Sequence, residues 1–282
     1  MMRSFVLASL LTLAAPAAVA QSRPANGAAS AAAPLVIGET FTIASKTLGE
    51  VRRINVYAPP GYADAPSARL PVLYMPDGGM GEDFLHVAGL VQVSVLNGTM
   101  RPFLLVGIEN TERRRDMTGP TTNAEDRKIA PRVGGSAAFR KFIRTELMPR
   151  VRERYRTTDE TAIVGESLAG LFVVETFLLE PDLFDGYVAI DPSLWWNDAA
   201  LVSGARDRLR ARPATRKALF LASSDEREIA ELTRKLAGVL EAGAFPGLVS
   251  HYEPLPGEKH STIYHPAALR AFRRLFAPAP AR

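Results

Sequence analysis

TAIVGESLAGLFVVETFLLE, residues 161–180, is the stretch from which the rest of the chain is read. Ala162, Ile163 and Val164 form a short apolar run, Gly165-Glu166-Ser167-Leu168-Ala169-Gly170 follows, and an apolar segment then continues without a breaker to Pro181. The pattern predicts a buried strand, a tight turn and a buried helix, the setting in which a G-x-S-x-G-like match presents a serine as a nucleophile. A residue held in so sharp a turn carries roughly 1–3 kcal/mol of backbone strain. Small residues two before and two after keep side chains out of the bend. The helix N-terminus behind it favours developing negative charge. The second small position is Ala169, not glycine, with Gly170 after it.

Outward from this turn, the chain alternates. Two β-rich stretches lie at 35–43 and 51–57, the second stopped by Pro59-Pro60-Gly61. Further strands are expected at 71–75, 102–108, 161–165, 187–190, 218–222 and 249–254. Helices are expected at 82–97, from 136 onward, after Ser167, and at about 199–211, 229–240 and 266–276. Strands alternating with helices imply one mostly parallel, eight-stranded sheet with helices on both faces, its site beyond the carboxyl ends of the strands. No internal repeat or second domain is visible.

The chain has 282 residues, 47% of them hydrophobic, enough for one large core. Residues 1–20 combine Arg3, an apolar run and Ala18-Val19-Ala20, and so read as a cleavable secretory signal. Residues 21–34, QSRPANGAASAAAP, offer little to bury and read as a flexible tether, leaving 35–282 as the folded domain. With no cysteine there is neither disulfide nor lipid-modified thiol. The formal charge is +4, and +3 once Arg3 is removed with the leader. That excess is scattered, which argues against nucleic acid as a partner. No second segment is long and apolar enough to cross a membrane. The sequence does not reveal the oligomeric state.

A serine hydroxyl needs a base, and the base needs a group to orient it. In this architecture the order along the chain is serine, acid, histidine. Of the four histidines, His86 precedes Ser167, His251 lies inside the last expected strand, and His265 opens the last helix. His260 stands in the loop just past that strand and is the expected base. The acid is expected after the 218–222 strand, where Asp225, Glu226 and Glu228 cluster; Glu226 is preferred, then Asp225, with Glu228 assigned to the next helix. The oxyanion donors are expected to be the amide of Leu168 and one from Gly78-Gly79. Trp195 and Trp196, past the 187–190 strand, are candidates to flank an acyl or aromatic group. Arg113, Arg114 and Arg115 are candidates to meet an anionic substrate.

Several motifs together resemble the putative-esterase branch of the α/β-hydrolases, which takes in feruloyl-esterase-like enzymes, periplasmic trilactone-siderophore esterases and, more distantly, mycolyltransferases. They are Asp77-Gly78, VGIENTERRRDMTGP (106–120), GGSAAFRKFIRTELMPRVRERYRT (134–157), GESLAGLF, AIDPSLWWND (189–198) and PGEKH. The resemblance covers residues 35–276. It implies a single-domain α/β-hydrolase acting on a small-molecule carboxylic ester, with Ser167 as nucleophile, His260 as base and the acid within the 225–226 pair. It implies no metal or organic cofactor. The departures are Ala169 for glycine and Thr118-Gly119-Pro120 for Thr-Pro. Acyl transfer on the same fold, or a binding protein without turnover, are the alternatives.

Overall fold

The computed structural model describes residues 32–211 and 214–279, so the expected leader and most of the tether lie outside the described residues. The described residues from 37 onward form one compact unit. Residues 32–36, before it, are exposed and belong to no helix or strand.

The strands are β1 (Glu39–Ser45), β2 (Glu50–Tyr57), β3 (Leu70–Pro76), β4 (Leu104–Ile108), β5 (Thr157–Glu166), β6 (Gly186–Ile190), β7 (Lys217–Ser223) and β8 (Leu248–Pro254). They form one sheet in the order β1-β2-β4-β3-β5-β6-β7-β8. β1 and β2 are antiparallel to each other, β2 is antiparallel to β4, and all pairings from β4 to β8 are parallel. The helices are α1 (Phe84–Leu96), α2 (Arg113–Asp116), α3 (Ser136–Phe142), α4 (Met148–Arg154), α5 (Leu168–Leu179), α6 (Trp196–Ser203), α7 (Ala205–Ala211), α8 (Arg227–Gly243) and α9 (Tyr264–Leu275). A π turn at Ile143–Leu147 joins α3 to α4, just before Pro149, whose missing N–H cannot bond back to the turn above it.

Period-two side-chain direction in the central strands divides the core in two. Val72, Tyr74, Ile163, Tyr187 and Ala189 face one apolar layer with α3, α4, α5 and α8. Leu73, Met75, Ala162, Val164, Val188 and Ile190 face the other, with α1 and α9. β3, β4 and β6 are buried along their whole length, which is why they read as continuous apolar runs without alternation. α5 is buried on every side except its last residue, so it carries no polar stripe to betray its helical period.

Several elements differ from the sequence reading: β5 starts at Thr157, α2 lies inside the expected 109–135 loop, the expected 199–211 helix is two helices, and two further differences have a visible cause. β1 begins at Glu39 because Leu35 and Val36 lie exposed before it. Before the right-handed part of α6, Asn197, Asp198 and Ala199 take consecutive left-handed conformations. Asparagine and aspartate tolerate this region better than most residues. The turn is tied to the 121–126 loop: Asn197 Oδ1 accepts from the Thr122 N–H at 3.0 Å, and the Asn197 N–H donates to Asp126 Oδ2 at 2.7 Å.

Candidate active site

Ser167 lies between β5 and α5 at φ 60°, ψ −121°, in the left-handed half of backbone space. Two backbone bonds hold it there: its N–H donates to Ile190 O at 3.1 Å, and its carbonyl accepts from the Ser193 N–H at 3.1 Å. A β-carbon on Gly165 would come within 2.7 Å of the Ala169 carbonyl and 2.8 Å of the Ala169 methyl. The methyl at 169 is therefore accommodated by the absence of one at 165. On the other side, a β-carbon on Gly170 would come within 2.9 Å of Ile190 O.

His260 reaches Ser167 from the loop after β8, with Nε2 at 3.1 Å from Ser167 Oγ. The other histidines are elsewhere. His86 and His265 stack on each other with centroids 4.8 Å apart, and His251 lies 5.3 Å from the Phe220 ring.

The carboxylate on His260 is Asp191, whose Oδ2 lies 2.7 Å from Nδ1, and not Asp225 or Glu226. Asp191 directly follows β6, the neighbour of β5 in the sheet, whereas β7 is one strand further from the serine. Adjacent strands are about 4.8 Å apart, so an acid on β6 reaches the same imidazole with a shorter side chain. Asp191 turns toward it at φ 45°, and its side chain is fully buried. Ser224 holds it from the end of β7, donating to Asp191 from its N–H at 2.6 Å and its hydroxyl at 2.7 Å. Asp225 is exposed and pairs with Lys259, while Glu226 is exposed at the start of α8 and makes no side-chain cap bond. The order serine, acid, histidine holds for Asp191. Three carboxylates within four residues are a denser signal than one aspartate before a proline, and the denser signal led to the wrong strand.

Glu166, the last residue of β5, completes the polar cluster. Its Oε1 is 3.4 Å from His260 Nε2. Burial raises the Glu166 carboxyl to about 7, with His260 and Arg113 opposing the rise and Asp191 and Asp77 adding to it. The His260 imidazole is raised above its ordinary value, first by the bond to Asp191, against burial, and then by the charge of Glu166. Glu166, Asp191 and His260 bring ligand-type atoms within 4.8 Å of one another. Asp191 is engaged on the Nδ1 edge while Glu166 faces Nε2, an arrangement that flanks the ring and suits proton transfer better than a shared cation.

The expected oxyanion donors fare differently. No hydrogen bond engages the Leu168 N–H among the described residues, as befits the first residue of a helix. The Gly78 N–H is bonded to Ile108 O at 3.0 Å, and a β-carbon there would strike Gly107, so this glycine permits a close strand contact and its amide is not available to a substrate. The Gly79 N–H donates to Glu82 Oε2 at 2.7 Å. Asp77, just before them at φ 56°, accepts from Arg113 Nε at 2.7 Å and Nη2 at 2.9 Å.

Two substrate candidates are structural. Arg115 bonds Glu50 and Asp116, and this network lowers Glu50 to about 2, its hydrogen bonds and charges outweighing burial. Trp196 is buried and its indole N–H donates to Gly119 O at 2.9 Å. Trp195 is partly exposed and borders a hollow with Asp126, Asp198, Glu228 and Lys235. Arg114, by contrast, is exposed and lines a hollow of about 350 Å³ with Arg113 and Arg132.

Residues 45–233 match the family described as "Putative esterase". The chain belongs to this esterase family. It is 31% identical over 186 residues to ferri-bacillibactin esterase BesA of Bacillus subtilis, covering 61% of this chain and 64% of that one. The chain thus spans somewhat under two thirds of that curated relative. Among solved structures it is similar to an IroE-like serine hydrolase from Shewanella oneidensis, with 28% identity, a TM-score of 0.77, and coverage of 85% of this chain and 80% of the other. The siderophore hydrolase EstB from Aspergillus nidulans shares the fold at 22% identity, with a TM-score of 0.74 and coverage of 89% and 99%. These esterase-family likenesses agree with the eight-stranded, mostly parallel sheet and its helical layers.

Proposed function

We propose that this chain is an exported serine esterase that works through an acyl-enzyme. The observation that carries the reading is the single imidazole spanning Ser167 Oγ and the buried Asp191 carboxylate. Ser167 Oγ attacks the ester carbonyl while its proton passes to His260 Nε2. Asp191 holds the tautomer with hydrogen on Nδ1 and stabilises the imidazolium. The Leu168 amide receives the developing oxyanion, and the Gly79 amide joins it when the oxyanion displaces Glu82. The Nε2 proton leaves with the alcohol, and water activated by the same nitrogen releases the acid.

The substrate class we favour is a siderophore ester. The relatives named above are a ferri-bacillibactin esterase and a siderophore hydrolase. The exposed Arg114 offers positive charge to an anionic ferric chelate, whose iron is cargo, while its neighbours Arg113 and Arg132 are paired with Asp77 and Glu112. A fluorophosphonate probe should label the native protein and leave Ser167→Ala unlabelled; labelling of both would remove the nucleophile assignment. A panel of aryl, feruloyl and catecholate-trilactone esters then ranks the substrate class, and partition between water and added alcohols separates hydrolysis from acyl transfer. Export rests on residues 1–20. An N-terminus near Gln21 in the native protein is expected, and one at Met1 would contradict it. Among the described residues, no helix is long and apolar enough to cross a membrane.

A further inference from the structure

His260 lies between two carboxylates, and only one has a partner at rest. Asp191 takes Nδ1, while Nε2 faces both Ser167 Oγ at 3.1 Å and Glu166 Oε1 at 3.4 Å. That Glu166 oxygen is buried and accepts no hydrogen bond among the described residues. An unmet buried acceptor is costly to keep, so its position calls for a reason. With the ring hydrogen on Nδ1, facing the Asp191 carboxylate, Nε2 accepts from the serine hydroxyl and has no proton to offer. Once the proton has moved, Nε2–H exists and Glu166 Oε1 stands within reach of it. An interaction that forms only as charge develops lowers the barrier and not the ground state.

We propose that Glu166 is a catalytic residue whose Oε1 stabilises the His260 imidazolium from the Nε2 side while Ser167 attacks. The reading rests on the serine-esterase assignment. The Ser167 proton passes to Nε2 as the Oγ–C bond forms and the carbonyl electron pair moves to oxygen. The proton then leaves Nε2 for the departing alkoxide as the C–O bond breaks. Glu166 takes up and releases no proton in this cycle. Its work is electrostatic and requires its ionised form.

The groups facing Glu166 come from every neighbouring element. They are Arg113 from α2, Asp77 after β3, Asp191 after β6, His260 after β8 and the buried Tyr264 of α9. Burial, with smaller contributions from the two aspartates, holds Glu166 near 7, and His260 and Arg113 keep it from rising further. Near neutrality the site therefore divides between a form with the second carboxylate and a form without it.

The test is the pH profile of kcat/KM for Glu166→Gln, which keeps shape and removes charge. A carboxylate beside Nε2 favours the protonated ring and raises its pKa. Removing it should move the acid limb down by about one pH unit and lower the plateau about tenfold through kcat. A purely structural role would scale the profile and leave the limb in place. An unmoved limb, or a moved limb with an unchanged plateau, overturns the proposal. Should Glu166→Gln fail to fold, ¹⁵N NMR of His260 in the native protein decides: two coupled steps are expected, and a single step overturns it. If the probe labels Ser167 but the limb does not move, the Glu166 role alone falls; if Ser167 is unlabelled, the esterase reading falls first.

Discussion

Ser167 and Asp191 directly follow adjacent strands, and both take left-handed backbone, at φ 60° and φ 45°. Each turn is pinned by a bond from its own N–H to the next strand over, Ser167 to Ile190 O and Asp191 to Ala222 O. Ser167 and Asp191 are thus set by the same device one strand apart, and His260 bridges their side chains.

Asp191→Asn should keep the fold and lower kcat by about 10⁴-fold, because the amide favours the wrong imidazole tautomer. Asp225→Asn and Glu226→Gln should stay within a few-fold of the native rate. Steady-state kinetics of the three variants checks the assignment; a large loss confined to Glu226→Gln would return the acid to the loop after β7.

Ser167→Ala and His260→Ala should each lose on the order of 10⁶ in turnover. The turn strain at 167 adds a second reading. Ser167→Gly should melt above Ser167→Ala, since glycine adopts this backbone without the roughly 1–3 kcal/mol that other residues meet there. Differential scanning calorimetry on the pair measures it; equal melting points would mean that the strain is no larger than the extra chain entropy glycine loses on folding.

Gly165→Ala should be inactive and less stable, because the new methyl overlaps the Ala169 backbone and side chain. Adding Ala169→Gly should restore only part of the loss, since the 169 carbonyl is as close as its methyl. Full restoration would mean that the carbonyl moves freely, against the close fit described here. Melting curves and turnover of the single and double variants give the answer.

Asp83 is raised to about 6, first by burial and then by Asp77 and Glu82, with Arg113 opposing. A carboxyl raised on folding favours the native state below its unfolded pKa, and that contribution is lost as pH climbs through about 6. Asp83→Asn should therefore melt a few degrees above the native protein at pH 8 and no higher at pH 4. A gain of equal size at both pH values would count against the charge argument.

Much of this is legible in the amino-acid sequence alone. The buried strands showed as apolar runs, the elbow by its small residues, and His260 by its place past the last strand. Asp191 was not, because sheet order is not written locally: nothing in residues 186–190 says that they pair with β5. The roles of Arg115 and Trp196 were hidden for a related reason. Both meet partners far off in the chain, Glu50 and Gly119, and only folding brings these near. Glu166 was in plain view within the motif, but its unmatched oxygen is a property of the assembled cluster.

The segment bearing His260 is fastened to the end of β7 by three links: Leu255 N–H to Ser223 O at 2.8 Å, Asp225 N–H to Glu258 O at 3.0 Å, and the Lys259–Asp225 ion pair. For chimeras built between homologous sequences, this makes residues 223–260 a single exchangeable block. A crossover seam inside α8 would inherit β7 from one parent and His260 from the other, severing matched couplings, while a seam before β7 carries them across intact.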